Sequence, residues 1–250
     1  MKTKAEKDPE YLSTLERGLR VLRAFDEHDP EMRLSEVAAK AGLSPAVARR
    51  CLNTLVSLGY IGQYGRNFLL KPEVLAFGSA FMSSMNIEQV VSPSLQRLRD
   101  EMGDSSSMAV IAGNDVLYLG HVSTRRQNRL GAAVGTRFPL HATSMGKAIL
   151  AFRPDLEIEE FLATAELKAL TKNTITDRDV LRERLMQVRT QGYDSTCEEL
   201  DMGIVSLAVP IFDAKHMSVA AINCSTTTGR TTQQEMIATR LDGLRTAAAE

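Results

Sequence analysis

Tryptophan is absent from this 250-residue chain, and aromatic residues make up only 5% of it, so its cores must be assembled largely from aliphatic side chains. Cysteine is scarce too. Cys51, Cys197 and Cys224 lack metal-ligand spacing and form no disulfide framework, which fits a reducing cytoplasm. No window of about 18 apolar residues occurs, so no membrane-spanning helix is expected. The opening residues MKTKAEKDPEY are charged and carry no apolar core, unlike a signal peptide. Net charge is nearly missing, with 30 basic against 31 acidic residues, so nothing global marks the chain for a polyanion.

One absence is local. Between Val37 and Pro72 there is no Asp or Glu, and Lys40, Arg49, Arg50, Arg66 and Lys71 are the only charges, in a chain that is 24% charged. An acid-free window of this kind is the footprint of a phosphate-facing surface. The same window holds a helix-turn-helix pattern, LSEVAAKAGLSPAVARRCLNTLVSL, from Leu34 to Leu58. Leu34, Val37, Ala38 and Ala41 share one helical face, as do Ala48, Cys51, Leu52, Leu55 and Leu58 after the turn. Gly42 supplies the residue tolerant of positive φ that a short turn needs. Ser44 caps the second helix and Pro45 stands at its first position, where a missing N–H costs nothing. Ala46, Val47, Arg49, Arg50 and Asn53 then face outward. Small residues for close approach, arginines for guanine or phosphate and an amide for adenine are what a recognition helix requires. Two short apolar runs about a Gly/Asn turn, from Gly59 to Leu70, predict a β-hairpin with Arg66 at its tip, completing a winged helix. The expected contacts are Arg50 and Asn53 on bases, with Ala46 against them and Ser44, Arg49 and Arg66 on phosphates.

Around this module, Ser13 and Glu16 predict a capped first helix that buries Leu15, Leu19, Leu22 and Phe25, closed by an acidic loop from Asp26 to Glu31. Residues 72–102 read as linker helices, with a bend over 86–92 and a second helix starting at Pro93. Their apolar side chains suit either a dimer contact or packing on their own chain. From about Gly103 the period changes. Strands are expected at 108–112, 116–122, 130–134, 204–212 and 219–225, and helices at 144–152, 157–164, 177–190 and 232–248. The fold class is α+β, with a winged helix-turn-helix over 1–71, linker helices over 72–102 and a sheet covered by helices over 103–250.

The chemistry of the second domain gathers in GTRFPLHATSMGKAIL, residues 135–150. Thr143 or Ser144 caps a helix there, and Gly146 in its first turn lets another group approach the backbone. The unpaired N–H groups at such a start suit a carboxylate, with Lys147 and Arg137 as nearby charge. The stretch lacks the spacing of a phosphate-binding loop. Glu198, Glu199 and Asp201 read as loop charges at a pocket mouth, and His121 and His141 as structural or ligand-lining histidines. Without a nucleophile elbow or a metal-protease helix, no catalytic residue, metal or cofactor is expected.

The succession of winged helix, linker helix, GTRFPLHATSMGKAIL, CEELDMGIVSLAVPIFD and AAINCSTTTGRTT resembles the IclR family of bacterial transcriptional regulators, over about residues 12–245. Within it, RFPLHATSMGKAIL and NCSTTTGRTT are most similar to the pca- and pob-type regulators of aromatic-acid breakdown. The resemblance implies a GAF-like effector domain and a dimer or dimer of dimers on palindromic DNA. It implies effector contacts at Leu130, Phe138, Ser144, Met145, Gly146, Thr196, Ser206, Asn223 and Ser225. Where glyoxylate-responsive members carry Gly-Ala, an acid and Cys, this chain has Ser144-Met145, Thr196 and Ser206. Removing an acid at Thr196 favours an anionic ligand. The expectation is a regulator of a catabolic operon that binds double-stranded DNA and a small aromatic carboxylic acid such as protocatechuate or 4-hydroxybenzoate, with RNA polymerase as a further partner. A short keto or sugar acid is the alternative effector. An enzyme acting on a small acid, with the helix-turn-helix as an interaction module, is the alternative of another class.

Overall fold

In the computed structural model, residues 10–26, 28–84, 86–124 and 131–250 are described. The chain divides into two compact units, Met1–Ser84 and Met85–Glu250. The boundary therefore falls inside the linker segment, and the two linker helices belong to different units.

In the first unit, α1 (Ser13–Leu22) and β1 (Glu31–Arg33) precede α2 (Leu34–Ala41) and α3 (Pro45–Ser57). Gly42 takes φ +62 and ψ 41 at the turn, and the Ser44 hydroxyl accepts the Val47 N–H at 3.4 Å. The wing is β2 (Ile61–Tyr64) and β3 (Asn67–Leu70), turning tightly at Gly65 and Arg66. Sequence periodicity did not show β1, which pairs with β3 and makes the wing a three-stranded sheet. Met32 is its buried residue, and only pairing reveals so short a strand. Val21, Val37, Leu52 and Ile61 anchor the core.

Three expectations change here. The helix start at Ser13 has no side-chain cap; Glu16 instead pairs with Arg20 at 3.4 Å. The buried side of α1 is Val21, continued by Ala24 and Phe25, whereas Leu15 and Leu19 remain 61% and 47% exposed. Val47 is half-buried against the core edge rather than fully outward. After a 3₁₀ turn at Pro72–Val74, α4 (Leu75–Ser84) buries none of its residues, although Tyr60 and Phe77 stack with ring centroids 5.4 Å apart.

The second unit opens with α5 (Ile87–Met102). It starts well before Pro93, so the expected long bend is helix. Pro93 lies on an exposed face, where water can take the Gln89 carbonyl that loses its N–H partner. Strands β4 (Ser105–Ala112), β5 (Asp115–Val122), β6 (Arg137–Pro139), β7 (Asp194–Cys197), β8 (Ile204–Phe212) and β9 (Ser218–Thr227) form one antiparallel sheet in the order β6-β5-β4-β9-β8-β7. Residues 131–134 are not a strand; the extended piece comes later, at β6. Helices α6 (Ser144–Leu150), α7 (Asp155–Thr164) and α8 (Arg178–Gln191) enclose a core with Tyr118, Ala208 and Ala221 on one sheet face. Helix α5 and α9 (Gln233–Ala249) cover the other, with Leu95, Leu207, Ile222, Cys224 and Met236. Gly120 marks how closely α5 approaches, since a Cβ there would lie 2.8 Å from Leu95.

Candidate functional site

The outward side of α3 carries Ala46, Arg49, Arg50 and Asn53, all exposed, with Ser44 at its start and Arg66 exposed on the wing turn. Arg49, Arg50 and Arg66 form no ion pair with acids among the described residues. Lys40 differs. Its ammonium lies 2.7 Å from Asp26 and 2.5 Å from Asp29, acids from the preceding loop, so it offers no spare charge to a phosphate. Lys40 and neighbouring backbone N–H groups hold the Asp26 carboxyl down at about 2. Arg50 stands where the outward face meets an apolar groove of about 490 Å³ between α1 and α3, lined by Leu15, Leu19, Leu58 and Phe77 among others.

In the second unit, pleat alternation brings one row of side chains to the α6 side of the sheet. Thr196, Ser206 and Ser225 are cross-strand neighbours, and Asn223 lies two residues from Ser225 on β9. With Tyr118, Thr143, Ser144, Met145, Leu200 and Ile204 they enclose a cavity of about 20 Å³, little more than the space of one water. The Ser206 hydroxyl is the hub. It lies 2.8 Å from the Ser144 hydroxyl, accepts the Asn223 amide N–H at 3.0 Å and donates to the Cys224 carbonyl at 3.2 Å. The Asn223 carbonyl oxygen is buried without a partner.

Thus Ser144, Met145, Thr196, Ser206, Asn223 and Ser225 surround one space. Gly146 acts one layer behind. A Cβ at Gly146 would sit 2.2 Å from the Leu140 carbonyl, so the glycine lets α6 press against the preceding turn. Phe138 packs edge-on against Tyr118, ring centroids 5.3 Å apart, and so backs the lining rather than forming it. Leu130 lies outside the described residues. Arg137 is the correction: it is exposed, its Nε donates to Asp115 at 3.1 Å, and it also bonds the Ala112 carbonyl. It cannot serve as counter-charge inside the cavity.

Lys147 is not a counter-charge either. It is fully buried, its ammonium 2.7 Å from Glu199 and 3.5 Å from Asp194, and it donates to the His141 carbonyl at 3.2 Å. Arg184 holds Asp194 from the other side at 2.7 Å. Glu199 is therefore an internal ion-pair partner, not a loop charge at the mouth. Burial pushes its carboxyl up from the ordinary range while Lys147 pulls it down. The helix start is less of an anion site than its residue types suggest. Thr143 already caps the Gly146 N–H at 3.1 Å, and seven residues supply little macrodipole. His141 is buried, with Nε2 3.0 Å from the Lys168 carbonyl. Among the described residues, no charged side chain lines the cavity.

A helix-turn-helix with a wing, followed by a sheet domain with a polar internal cavity, is matched along most of the chain. Residues 14–65 match the IclR helix-turn-helix domain, and residues 79–250 match the bacterial transcriptional regulator IclR C-terminal domain. The chain belongs to the IclR family. Among IclR-family relatives, the Pca regulon regulatory protein of Pseudomonas putida is 38% identical over 92% of this chain and 79% of its own length. A transcriptional regulator of Rhodococcus sp. RHA1 superposes with a TM-score of 0.80 at 38% identity, covering 96% of each chain. The PobR inducer-binding domain from Acinetobacter, a double mutant in complex with 3-hydroxybenzoic acid, gives 0.60 at 31% identity over 64% of this chain and 94% of that one. This IclR-family chain is thus a transcriptional regulator built from a DNA-binding module and an effector-type domain. The sequence reading overlooked Tyr118, Leu200 and Ile204 in the lining. Tyr118 shares its face with Val116 by ordinary alternation, but only the pairing of β5, β4 and β9 shows that this face meets Asn223.

Proposed function

We propose that this regulator binds a palindromic operator as a homodimer or dimer of dimers in the cytoplasm and responds to a small aromatic carboxylic acid. The observation that carries the effector reading is the cavity itself. Hydroxyls of Ser144, Thr196, Ser206 and Ser225 and the amide of Asn223 share the lining with Tyr118, Met145, Leu200 and Ile204, a mixture of polar and apolar groups that suits a hydroxylated ring. The relatives support it, since one regulates a Pca regulon and another was solved with 3-hydroxybenzoic acid.

At about 20 Å³ the cavity is closed to a benzoate, so binding selects or creates a wider form. That requirement gives the ligand a differential affinity for two conformations, without which no regulation follows. An enzyme reading has one foothold, the Ser107 hydroxyl 2.9 Å from Nδ1 of His121. An acyl-transfer dyad needs an acid to orient the imidazole's other nitrogen, and Nε2 here has no partner.

For the operator, Arg50 and Asn53 read bases while Ser44, Arg49 and Arg66 hold phosphates and Ala46 permits close approach. Self-association uses α4 and the groove beside α1, where Leu15, Leu19, Leu58 and Phe77 are exposed together. Calorimetry with protocatechuate, 4-hydroxybenzoate, β-ketoadipate and pyruvate tests the effector; response to pyruvate alone overturns the aromatic reading. In operator titrations, Arg50→Ala should lose about 1–3 kcal/mol of discrimination against random DNA. Equal loss on both DNAs removes Arg50 from base readout.

A further inference from the structure

A carboxylate drawn into the cavity loses its water, and a buried charge is tolerated only when it is paired. Among the described residues, none that lines the cavity is charged. Arg137 is engaged by Asp115, and Lys147 by Glu199 and Asp194. A different group on the same sheet face fits the need.

The register shift beside Met108 pairs Ala109 with Tyr118 but Ser107 with His121. The bulge thereby turns both Tyr118 and His121 to one face. Ser107 in turn lies opposite Asn223 on β9, so His121, Ser107 and Asn223 form a row across three neighbouring strands. This row is adjacent to the one formed by Thr196, Ser206 and Ser225. Two buried polar atoms on it have no partner, Nε2 of His121 and Oδ1 of Asn223. If the Ser107 hydroxyl donates to Nδ1, the ring carries its hydrogen on Nε2, an orphan donor two strands across the sheet from an orphan acceptor. A donor and an acceptor left over on one face, separated by a strand, match the two ends of a hydroxy acid, carboxylate on the first and hydroxyl on the second.

We propose that His121, oriented by Ser107, is the seat of the effector's carboxylate and takes up a proton from solvent as the acid binds. The proposal rests on the effector reading above. Burial alone holds the unliganded imidazole below its ordinary value, so it is neutral before the acid arrives. The approaching carboxylate reverses that balance and makes the imidazolium the better partner. Nδ1 then becomes a donor, and the Ser107 oxygen turns to accept it. Tyr118, also on this face, is pushed well above its ordinary value by burial and stays neutral, while Asp194, farther along the same row, is paired with Lys147 and Arg184, and Glu199 with Lys147. Asn223 keeps its amide N–H on Ser206 and offers Oδ1 to a ring hydroxyl.

The test is calorimetry of the full-length chain with 4-hydroxybenzoate near pH 7.5, in phosphate and in Tris, whose protonation enthalpies differ. The wild type should take up close to one proton per bound acid. His121→Gln should bind at least ten-fold more weakly and lose the uptake. His121→Arg should recover binding without uptake, and the preference for the acid over 4-hydroxybenzamide should collapse only in His121→Gln. The wild-type proton count stands even if a variant fails to fold. Binding without uptake, together with unchanged affinity in His121→Gln, overturns the assignment of His121 alone. Failure of the wild type to bind 4-hydroxybenzoate, 3-hydroxybenzoate or protocatechuate overturns the aromatic-acid reading and this proposal with it.

Discussion

Lys147 sits between Glu199 and Asp194 with no exposure to solvent, and removing it would leave the Glu199 carboxylate buried without its cation and Asp194 with Arg184 alone. Lys147→Met should therefore destabilise the second unit by about 3–5 kcal/mol in urea unfolding. Glu199→Gln should cost less, because Lys147 keeps Asp194 as a counter-charge. Burial also holds His121 and His141 below the ordinary 6.5, so on acidification the unfolded chain takes up protons first. The stability these neutral imidazoles contribute is present above 6.5 and is lost as pH falls below it. Urea midpoints measured from about pH 8 to about pH 5 should fall, and the slope should flatten in a His121→Asn, His141→Asn double variant.

Helix α6 is short, yet it carries Ser144 and Met145 to the cavity and Lys147 to the ion pairs. Its placement depends on Gly146. The atom a Cβ would meet, at 2.2 Å, is the backbone oxygen of Leu140, which cannot rotate away as a side chain can. Gly146→Ala should cost about 1–3 kcal/mol in unfolding measurements, as overpacking does, and should weaken ligand binding by shifting Ser144. A Cβ at Gly78 in α4 would meet nothing within 4 Å. Gly78→Ala should be neutral or stabilising by up to about 1 kcal/mol, because only helix propensity changes.

Regulation belongs to the scale of the whole molecule, and the proposed function requires ligand and operator each to favour one of two conformations. If the acid changes operator affinity by a factor, the operator must change acid affinity by the same factor, within a range of about 5–150-fold. Calorimetry with and without operator DNA checks that equality. The exposed apolar side of the first unit makes a separate prediction. Leu19→Glu or Phe77→Glu should shift the protein to monomer in sedimentation velocity and weaken operator binding, since a palindrome needs two copies held together.

The helix-turn-helix was readable in the sequence because its signals are local. A positive-φ glycine, a serine cap, a proline at the first helical position and a 3.6-residue apolar period all lie within a few residues of one another. The three-residue strand β1, the early start of α5 and the exposure of Leu15 and Leu19 were not, because each depends on which distant surface the chain meets. The same division runs through the candidate cavity. Family motifs in the sequence name Ser144, Met145, Thr196, Ser206, Asn223 and Ser225, but they do not reveal that Lys147 is spent on Glu199 and Asp194 or that Arg137 points to Asp115. Sequence by itself determined the module order, the basic reading helix and the hydroxyl-rich motifs, since these are written in adjacent residues. Tertiary structure alone decided which charges remain available, because a charge is cancelled by neighbours in space, and folding brings those neighbours from far along the chain.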